Sequence, residues 1–128
     1  MVEVNCETDF TAKSEPFLDF AKNLAMHIAA TSPLSIDREG LSPEAVAREQ
    51  EIYRAQALET GKPEKIADKI VEGKLKKFYQ EVCLLEQAYV RDTDITVEDL
   101  LNELRGKTGE NILVSRFIRY QLGEDSAG

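Results

Sequence analysis

Hydrophobic and polar positions alternate at the start of the chain and then recur at helical spacing. From Val2 to Thr8 apolar and polar side chains alternate, which is the pattern of a half-buried strand. Three later segments repeat apolar residues every three or four positions, as on the buried face of a helix. The expected core positions of these helices are Phe17, Phe20, Ala21, Leu24, Ile28 and Thr31, then Val46, Ile52 or Tyr53 and Ala57, then Ile66, Ile70, Leu75, Phe78 and Val82.

Local start and stop signals set the bounds of these helices. Ser14 followed by Pro16, and Ser42 followed by Pro43, are N-cap and first-turn residues that predict helix starts. The first helix is expected over residues 14–30, the second from 42 to a stop at Gly61, and the third from 62 to about 82. Gly73 inside the third helix predicts a break or a close packing contact.

The second half of the chain carries a weaker pattern. Residues 84–90 are short and apolar and are predicted to be extended. Thr96 is expected to cap a helix through Arg105, with a stripe of Leu100, Leu101 and Leu104. A loop should follow over residues 106–111, then a long strand over residues 112–122 that is rich in β-branched and aromatic residues, and then a frayed tail at 124–128.

This element order predicts an α+β fold in one domain over residues 1–123. The N- and C-terminal strands are expected to form a small antiparallel sheet packed against three to four helices. A two-stranded ribbon is only marginally stable. We therefore expect either a further strand that precedes Val2 in a longer protein, or a second copy of the chain against the exposed sheet face, which predicts a homodimer.

Net charge limits the classes of partner. The 24 acidic and 16 basic residues give a formal charge of -8, which disfavours direct binding to nucleic acid or to an anionic membrane. The sequence has no apolar run long enough to span a bilayer and no signal-peptide pattern at its start. These features predict a soluble intracellular protein with a protein partner.

The residues that could support catalysis or metal binding are few and scattered. Cys6 and Cys83 lie far apart without a metal-ligand motif, and both are expected to be buried as small apolar residues. His27, the one histidine, is expected at the rim of a core stripe, satisfied or exposed. Glu7 and Asp9 lack the spacing of a calcium loop. The basic run at residues 74–77 is expected to be a solvated helix face. We predict no enzyme activity, no metal site and no cofactor.

The turn after the first strand is the main candidate site. A Thr-Asp pair can satisfy local backbone donors where the chain turns, which leaves Phe10 outside the strand alternation. Phe10 is then expected at the tip or rim, where an aromatic ring can act as a wedge. The alternative is that Phe10 is a core residue of the hairpin.

Several stretches together resemble the elongation factor Ts family, whose members act as nucleotide exchange factors of elongation factor Tu. The first is Asn5 to Phe10, which looks like the family's hallmark segment. The others are Ala25 to Ala30, Gly61 to Pro63, Ile66 and Ala67, Val71 to Phe78, Leu84 to Gln87, and Gly109 to Ile112 continuing to Leu122 and Gly123. The resemblance covers nearly the whole chain and is closest to the short family members, which carry one core and dimerise through their sheets.

Two departures accompany the resemblance. The family normally begins with a small helical domain and a preceding strand, and neither is found in this sequence, so the chain is expected to be an isolated core or dimerisation domain. Thr11 stands where the family usually has valine, a near-isosteric change that should keep the shape of the turn.

The resemblance implies that the chain binds GDP-bound and nucleotide-free elongation factor Tu and promotes GDP release by disturbing its magnesium site. The implied contact residues are Thr8, Asp9, Phe10 and Thr11, with Thr8 mainly a turn-former, and less directly Gly109, Glu110 and Asn111. The implied location is the bacterial cytoplasm or an organelle matrix. One alternative is a dimerisation or scaffolding module that binds Tu but needs the missing N-terminal domain for exchange; another is an enzyme.

Overall fold

The computed structural model describes residues 1–123, and the predicted tail at 124–128 lies outside these residues. The chain divides into two units, one formed by residues 1–32 together with the chain from Tyr89 onward and the other by residues 33–88. Whether residues 1–123 behave as one domain stays a prediction. The α+β fold class is confirmed, because the described residues form both helices and small antiparallel sheets.

The first unit contains the terminal strands. Its elements are β1 (Val2–Asn5), α1 (Asp9–Ala12), α2 (Glu15–Thr31), β3 (Asp92–Thr96), α5 (Val97–Thr108) and β4 (Leu113–Phe117). The boundary between the units falls within β2 (Ala88–Tyr89), which pairs with β3. As predicted, β1 pairs antiparallel with β4; Val2 lies opposite Phe117 and Asn5 opposite Leu113, with a bulge between Glu3 and Val4.

The core of this unit lies between α2, α5 and the terminal strands. Its fully buried or nearly buried apolar residues are Phe17, Phe20, Leu24, Ile28, Val97, Leu101, Leu104 and Ile112. The predicted stripe of the first helix is thus confirmed at its four large apolar positions. His27 was expected at the rim and is instead fully buried, where its Nδ1 accepts the N–H of Val90 at 3.2 Å.

The second unit is a helical hairpin followed by a short turn. It consists of α3 (Pro43–Glu59), α4 (Glu64–Val82) and a single 3₁₀ turn at Leu84–Glu86. Gly61, which follows the end of α3 with a φ of 77°, ends this helix as predicted. The prediction of a break or a close packing contact at Gly73 was wrong, because α4 runs through it and a Cβ there would meet no atom within 4 Å. The buried positions of α4 are Ala67 and Val71, and the predicted positions Leu75, Phe78 and Val82 are half-buried. Ile66 is 48% exposed, so the stripe departs from the predicted one at the start of the helix.

Three predicted bounds need correction. Residues 84–90 are not all extended, because the N–H groups of Glu86 and Gln87 bond back to the carbonyl of Cys83 and form the 3₁₀ turn. The α5 helix continues past Gly106 to Thr108, whose hydroxyl donates to the carbonyl of Leu104 at 2.9 Å. The predicted strand over 112–122 is short, because its partner β1 provides only four residues for pairing.

The two cysteines differ in environment. Cys83 is fully buried, as predicted, and burial raises the pKa of its thiol. Cys6 is only partly buried, which contradicts the prediction for this residue, and its Sγ donates to the carbonyl of Thr8 at 3.3 Å. Both thiols are free. Within the described part of the chain, the helices are too short or too polar to cross a membrane.

Candidate functional site

The turn that carries Phe10 is a single turn of helix. The predicted strand was expected to reach Thr8, but β1 ends at Asn5 and α1 covers Asp9–Ala12. Thr8 is its N-cap, with extended backbone angles, and its Oγ1 accepts the N–H of Thr11 at 3.3 Å. The sequence Thr-Asp-Phe-Thr therefore caps and begins a helix where a simple turn was predicted.

Phe10 points away from the core. Its side chain is 86% exposed, while Thr11 beside it is buried. Asp9 is exposed as well and occupies the first turn of α1. The alternative that Phe10 is a core residue is therefore excluded, and α1 presents an aromatic ring and a carboxylate side by side to solvent. A large apolar side chain so fully exposed is a candidate contact for another protein.

A second segment reaches this turn from the other end of the chain. The carboxylate of Glu110 accepts the N–H of Glu7 at 2.9 Å and the N–H of Thr8 at 3.0 Å. The same carboxylate accepts the hydroxyl of Thr8 at 2.7 Å and the hydroxyl of Thr11. Two segments about a hundred positions apart in sequence are thereby joined at the base of the Phe10 turn.

The loop that supplies Glu110 is closed by hydrogen bonds of its own. Arg105 donates from Nε at 3.0 Å and from Nη2 at 2.8 Å to the carbonyl of Ile112. The N–H of Glu110 donates to Oγ1 of Thr108 at 3.3 Å. Gly109 has a left-handed backbone with φ 66° and ends α5, and its N–H donates to the carbonyl of Arg105. These contacts fix the position of the Glu110 backbone in the loop.

The sequence-predicted residues thus occupy one site with distinct environments. Thr8, Thr11 and Glu110 form its hydrogen-bonded base, Asp9 and Phe10 its exposed tip. Asn111 is exposed in the supporting loop. Arg105 was missed by sequence reasoning, because nothing in the local pattern shows that its guanidinium closes the loop. No cluster of three or more histidine, cysteine, aspartate or glutamate side chains suited to a metal ion occurs among residues 1–123.

The hydrogen bonds shift the titration of Glu110. The hydroxyls of Thr11 and Thr8 lower the pKa of this carboxyl below its ordinary value near 4.5, partial burial opposes the shift, and the backbone N–H groups of Glu7 and Thr8 add to it. Because the folded-state pKa is the lower one, the ionised carboxylate stabilises the fold above about pH 4.5. That contribution disappears as the pH falls through the folded-state pKa.

We expect Glu110→Gln to reduce the acid sensitivity of the protein. The wild-type chain should lose more free energy of unfolding than the variant between pH 7 and pH 3, because only the wild type must protonate this carboxylate. Urea denaturation at both pH values measures the difference. Glu3 also has a lowered pKa, caused first by a hydrogen bond from Ser115, so Glu3→Gln should reduce the acid sensitivity in the same direction. Equal pH dependence of wild type and Glu110→Gln would contradict the assignment.

Gly109→Ala should lower the free energy of unfolding by about 1 kcal/mol, because a side chain is disfavoured in the left-handed conformation. A Cβ at this position would meet no other atom within 4 Å, so the cost arises from the backbone alone. Gly73 is the matched control: it lies inside α4 with equally open surroundings, and Gly73→Ala should stabilise by up to about 1 kcal/mol. Urea unfolding of both variants should give opposite signs; the same sign for both rejects the prediction.

The comparisons with known proteins agree with the motifs. The family model described as Elongation factor TS matches residues 19–124. An elongation factor Ts from Syntrophus aciditrophicus (strain SB) is 58% identical over 125 residues, which cover 98% of this chain and 62% of the relative. An elongation factor Ts from Geobacter metallireducens (strain ATCC 53774 / DSM 7210 / GS-15) is 57% identical over 127 residues, covering 99% of this chain and 59% of the relative. The chain spans about three fifths of the length of these relatives. On this match the chain belongs to the elongation factor Ts family.

Proposed function

We propose that this chain is a guanine-nucleotide exchange core that acts in translation elongation by binding elongation factor Tu and promoting GDP release. Membership of the elongation factor Ts family supports the general role. The observation that carries the proposal at this site is the 86% exposure of Phe10 on a helical turn that is hydrogen-bonded at its base. An exposed ring on a fixed support is suited to entering another protein.

The proposed mechanism is a wedge that disturbs the magnesium ion of the partner. Burying an aromatic side chain removes about 150 to 250 Å² from water, which is worth several kcal/mol before the entropy costs of association. Magnesium requires near-ideal octahedral geometry at short distances, so a small displacement of the groups that hold it is costly. In this mechanism the side chain of Phe10 enters the partner and displaces the groups that hold the magnesium ion.

Asp9 adds an electrostatic contribution to the same mechanism. Its carboxylate lies next to Phe10 in the exposed first turn of α1. Brought near a nucleotide and its metal, a carboxylate competes for hydrogen-bond donors and adds negative charge beside phosphate groups. No covalent step is involved. Exchange follows from linkage: the chain binds nucleotide-free Tu more tightly than GDP-bound Tu, and GDP weakens the chain by the same factor.

A stopped-flow release assay tests this function. Elongation factor Tu loaded with fluorescent GDP is mixed with excess unlabelled GDP and substoichiometric amounts of this chain. We expect the release rate to rise with the concentration of the chain and each chain to act on many Tu molecules. An unchanged release rate would contradict the proposed exchange function and favour the alternative of a scaffolding module. Binding without release, measured by calorimetry, would support that alternative.

We also propose that two copies of the chain associate through the terminal sheet. Leu113 on β4 is 50% exposed and Ile118 just beyond it is 46% exposed, which leaves apolar surface on a sheet of only two strands. Analytical ultracentrifugation is expected to show a dimer that dissociates in Leu113→Asp. A monomer at every concentration would exclude this arrangement.

The proposed location is the bacterial cytoplasm, where the partner would be found.

A further inference from the structure

The Phe10 turn has little stability of its own. The α1 helix has four residues, and helices this short are unstable without external support because nucleation fixes several dihedral angles for few hydrogen bonds. Phe10 itself is too exposed to anchor the turn by packing. The orientation of the ring therefore depends on contacts made at the base of α1.

Glu110 supplies those contacts with both of its carboxylate oxygens. Oε1 accepts the backbone N–H groups of Glu7 and Thr8, and Oε2 accepts the hydroxyls of Thr8 and Thr11. The donors come from residues on both sides of Phe10. Glu110 thus binds both backbone and side-chain groups of this turn. These bonds fix the direction of α1 relative to Thr8.

The number of these hydrogen bonds limits the further contacts that Glu110 can make. An ionised carboxylate has about four lone-pair sites for hydrogen bonds, and four donors of its own chain occupy them. Little acceptor capacity is left for donors of another protein. A direct contact with elongation factor Tu, which the resemblance implied for this loop, therefore fits this side chain less well than an internal role.

We propose that Glu110 is a positioning residue for Phe10, acting on nucleotide exchange through the turn and not by touching the partner. This inference rests on the proposed exchange function. The lowered pKa of the carboxyl agrees with it, since the ionised form is the one that accepts all four donors. The hydrogen-bonded loop from Arg105 to Ile112 then serves to hold Glu110 in place.

The first experiment needs no partner. Amide hydrogen exchange measured by NMR on the full chain should show at least about tenfold faster exchange at Glu7 and Thr8 in Glu110→Ala than in the wild type. Glu103→Ala is the control, since Glu103 is an exposed α5 carboxylate paired with Lys107 and should leave both amides unchanged. Unchanged exchange in Glu110→Ala would overturn the proposal, whatever the outcome of any release assay.

The second experiment is a double-mutant cycle on the release of fluorescent GDP from elongation factor Tu, with the chain at saturating concentration. Glu110→Ala should lower the maximal release rate by about tenfold in the wild-type background and have no further effect in Phe10→Ala. Losses that multiply would show that Glu110 contacts the partner directly, which overturns the proposal.

Glu110→Gln keeps the cycle decisive if the alanine variant does not fold. The amide retains an oxygen for the two backbone N–H groups and an NH₂ that the two hydroxyls can accept, so release should recover to within about threefold of the wild type. Release about tenfold or more below the wild-type rate would mean that the charge itself acts on the partner, which overturns the proposal. If the wild-type chain releases no GDP, the exchange function fails, and amide exchange alone decides whether Glu110 holds the turn.

Discussion

Phe10→Ala is expected to lower the rate at which this chain releases GDP from elongation factor Tu by about thirtyfold, because truncating a central aromatic contact typically costs about 2 kcal/mol. The free energy of unfolding should change by less than about 0.5 kcal/mol, since the ring is 86% exposed and leaves no cavity. Stopped-flow release of fluorescent GDP and urea denaturation measure the two quantities on the same samples.

Leu34→Ala is the matched control for the loss of an exposed apolar side chain. Leu34 is 68% exposed and lies in the other unit, so its removal should alter neither release nor stability. Release at the wild-type rate in Phe10→Ala would contradict the wedge. A large loss of stability in that variant would show instead that the ring supports its own fold.

Ile112→Ala should destabilise the protein by about 2 to 5 kcal/mol, the range for removing a fully buried aliphatic side chain. Ile112 has no exposed surface and lies two residues after Glu110, where its carbonyl accepts both bonds from Arg105. Its side chain therefore anchors the loop that carries Glu110 in the core. The midpoint of urea unfolding reports the effect.

Leu113→Ala provides the comparison for Ile112→Ala, because the two residues are adjacent and differ mainly in burial. Leu113 is 50% exposed, so truncating it should cost less than about 1 kcal/mol in the monomer. Equal losses for the two variants would mean that the loop is not anchored by Ile112. The measurements are made at low protein concentration to limit the effect of self-association.

Elements whose signals are local could be predicted from the sequence. The helices after Ser14 and Ser42 begin where a serine and an early proline predict them, although neither serine side chain makes a capping hydrogen bond. Thr96 does form the predicted cap of α5, and its side chain and that of Asp99 bond each other's backbone N–H. Local chemistry decides these bounds regardless of the rest of the chain.

Elements that depend on distant residues were predicted less well. The length of β4 is limited by the four residues of β1, its partner strand. These residues lie more than a hundred positions away, so the sequence near β4 does not indicate its length. The strand Asp92–Thr96 was missed because its polar residues do not alternate with apolar ones. At the start of α4 Ala67 is buried in place of the predicted Ile66, which reflects packing within the hairpin that periodicity alone does not determine.

The candidate site shows the same division. Its exposed tip could be predicted, because Phe10 departs from the alternation of the strand before it. Its base could not, because Glu110 bonds residues 99 to 103 positions away. The resemblance pointed to Glu110 as a partner contact, and only the geometry reveals its bonds to Thr8 and Thr11. Hydrogen bonds of such sequence separation leave no periodic signal.

The ratio of two affinities tests the wedge mechanism. Calorimetry gives the dissociation constants of the chain for nucleotide-free and for GDP-bound elongation factor Tu. By linkage, their ratio equals the factor by which the chain weakens GDP binding. The wedge mechanism predicts a strong preference of the wild-type chain for nucleotide-free Tu and a much weaker preference for Phe10→Ala. Equal affinities for the two forms in the wild type, or a preference that Phe10→Ala leaves unchanged, would contradict it.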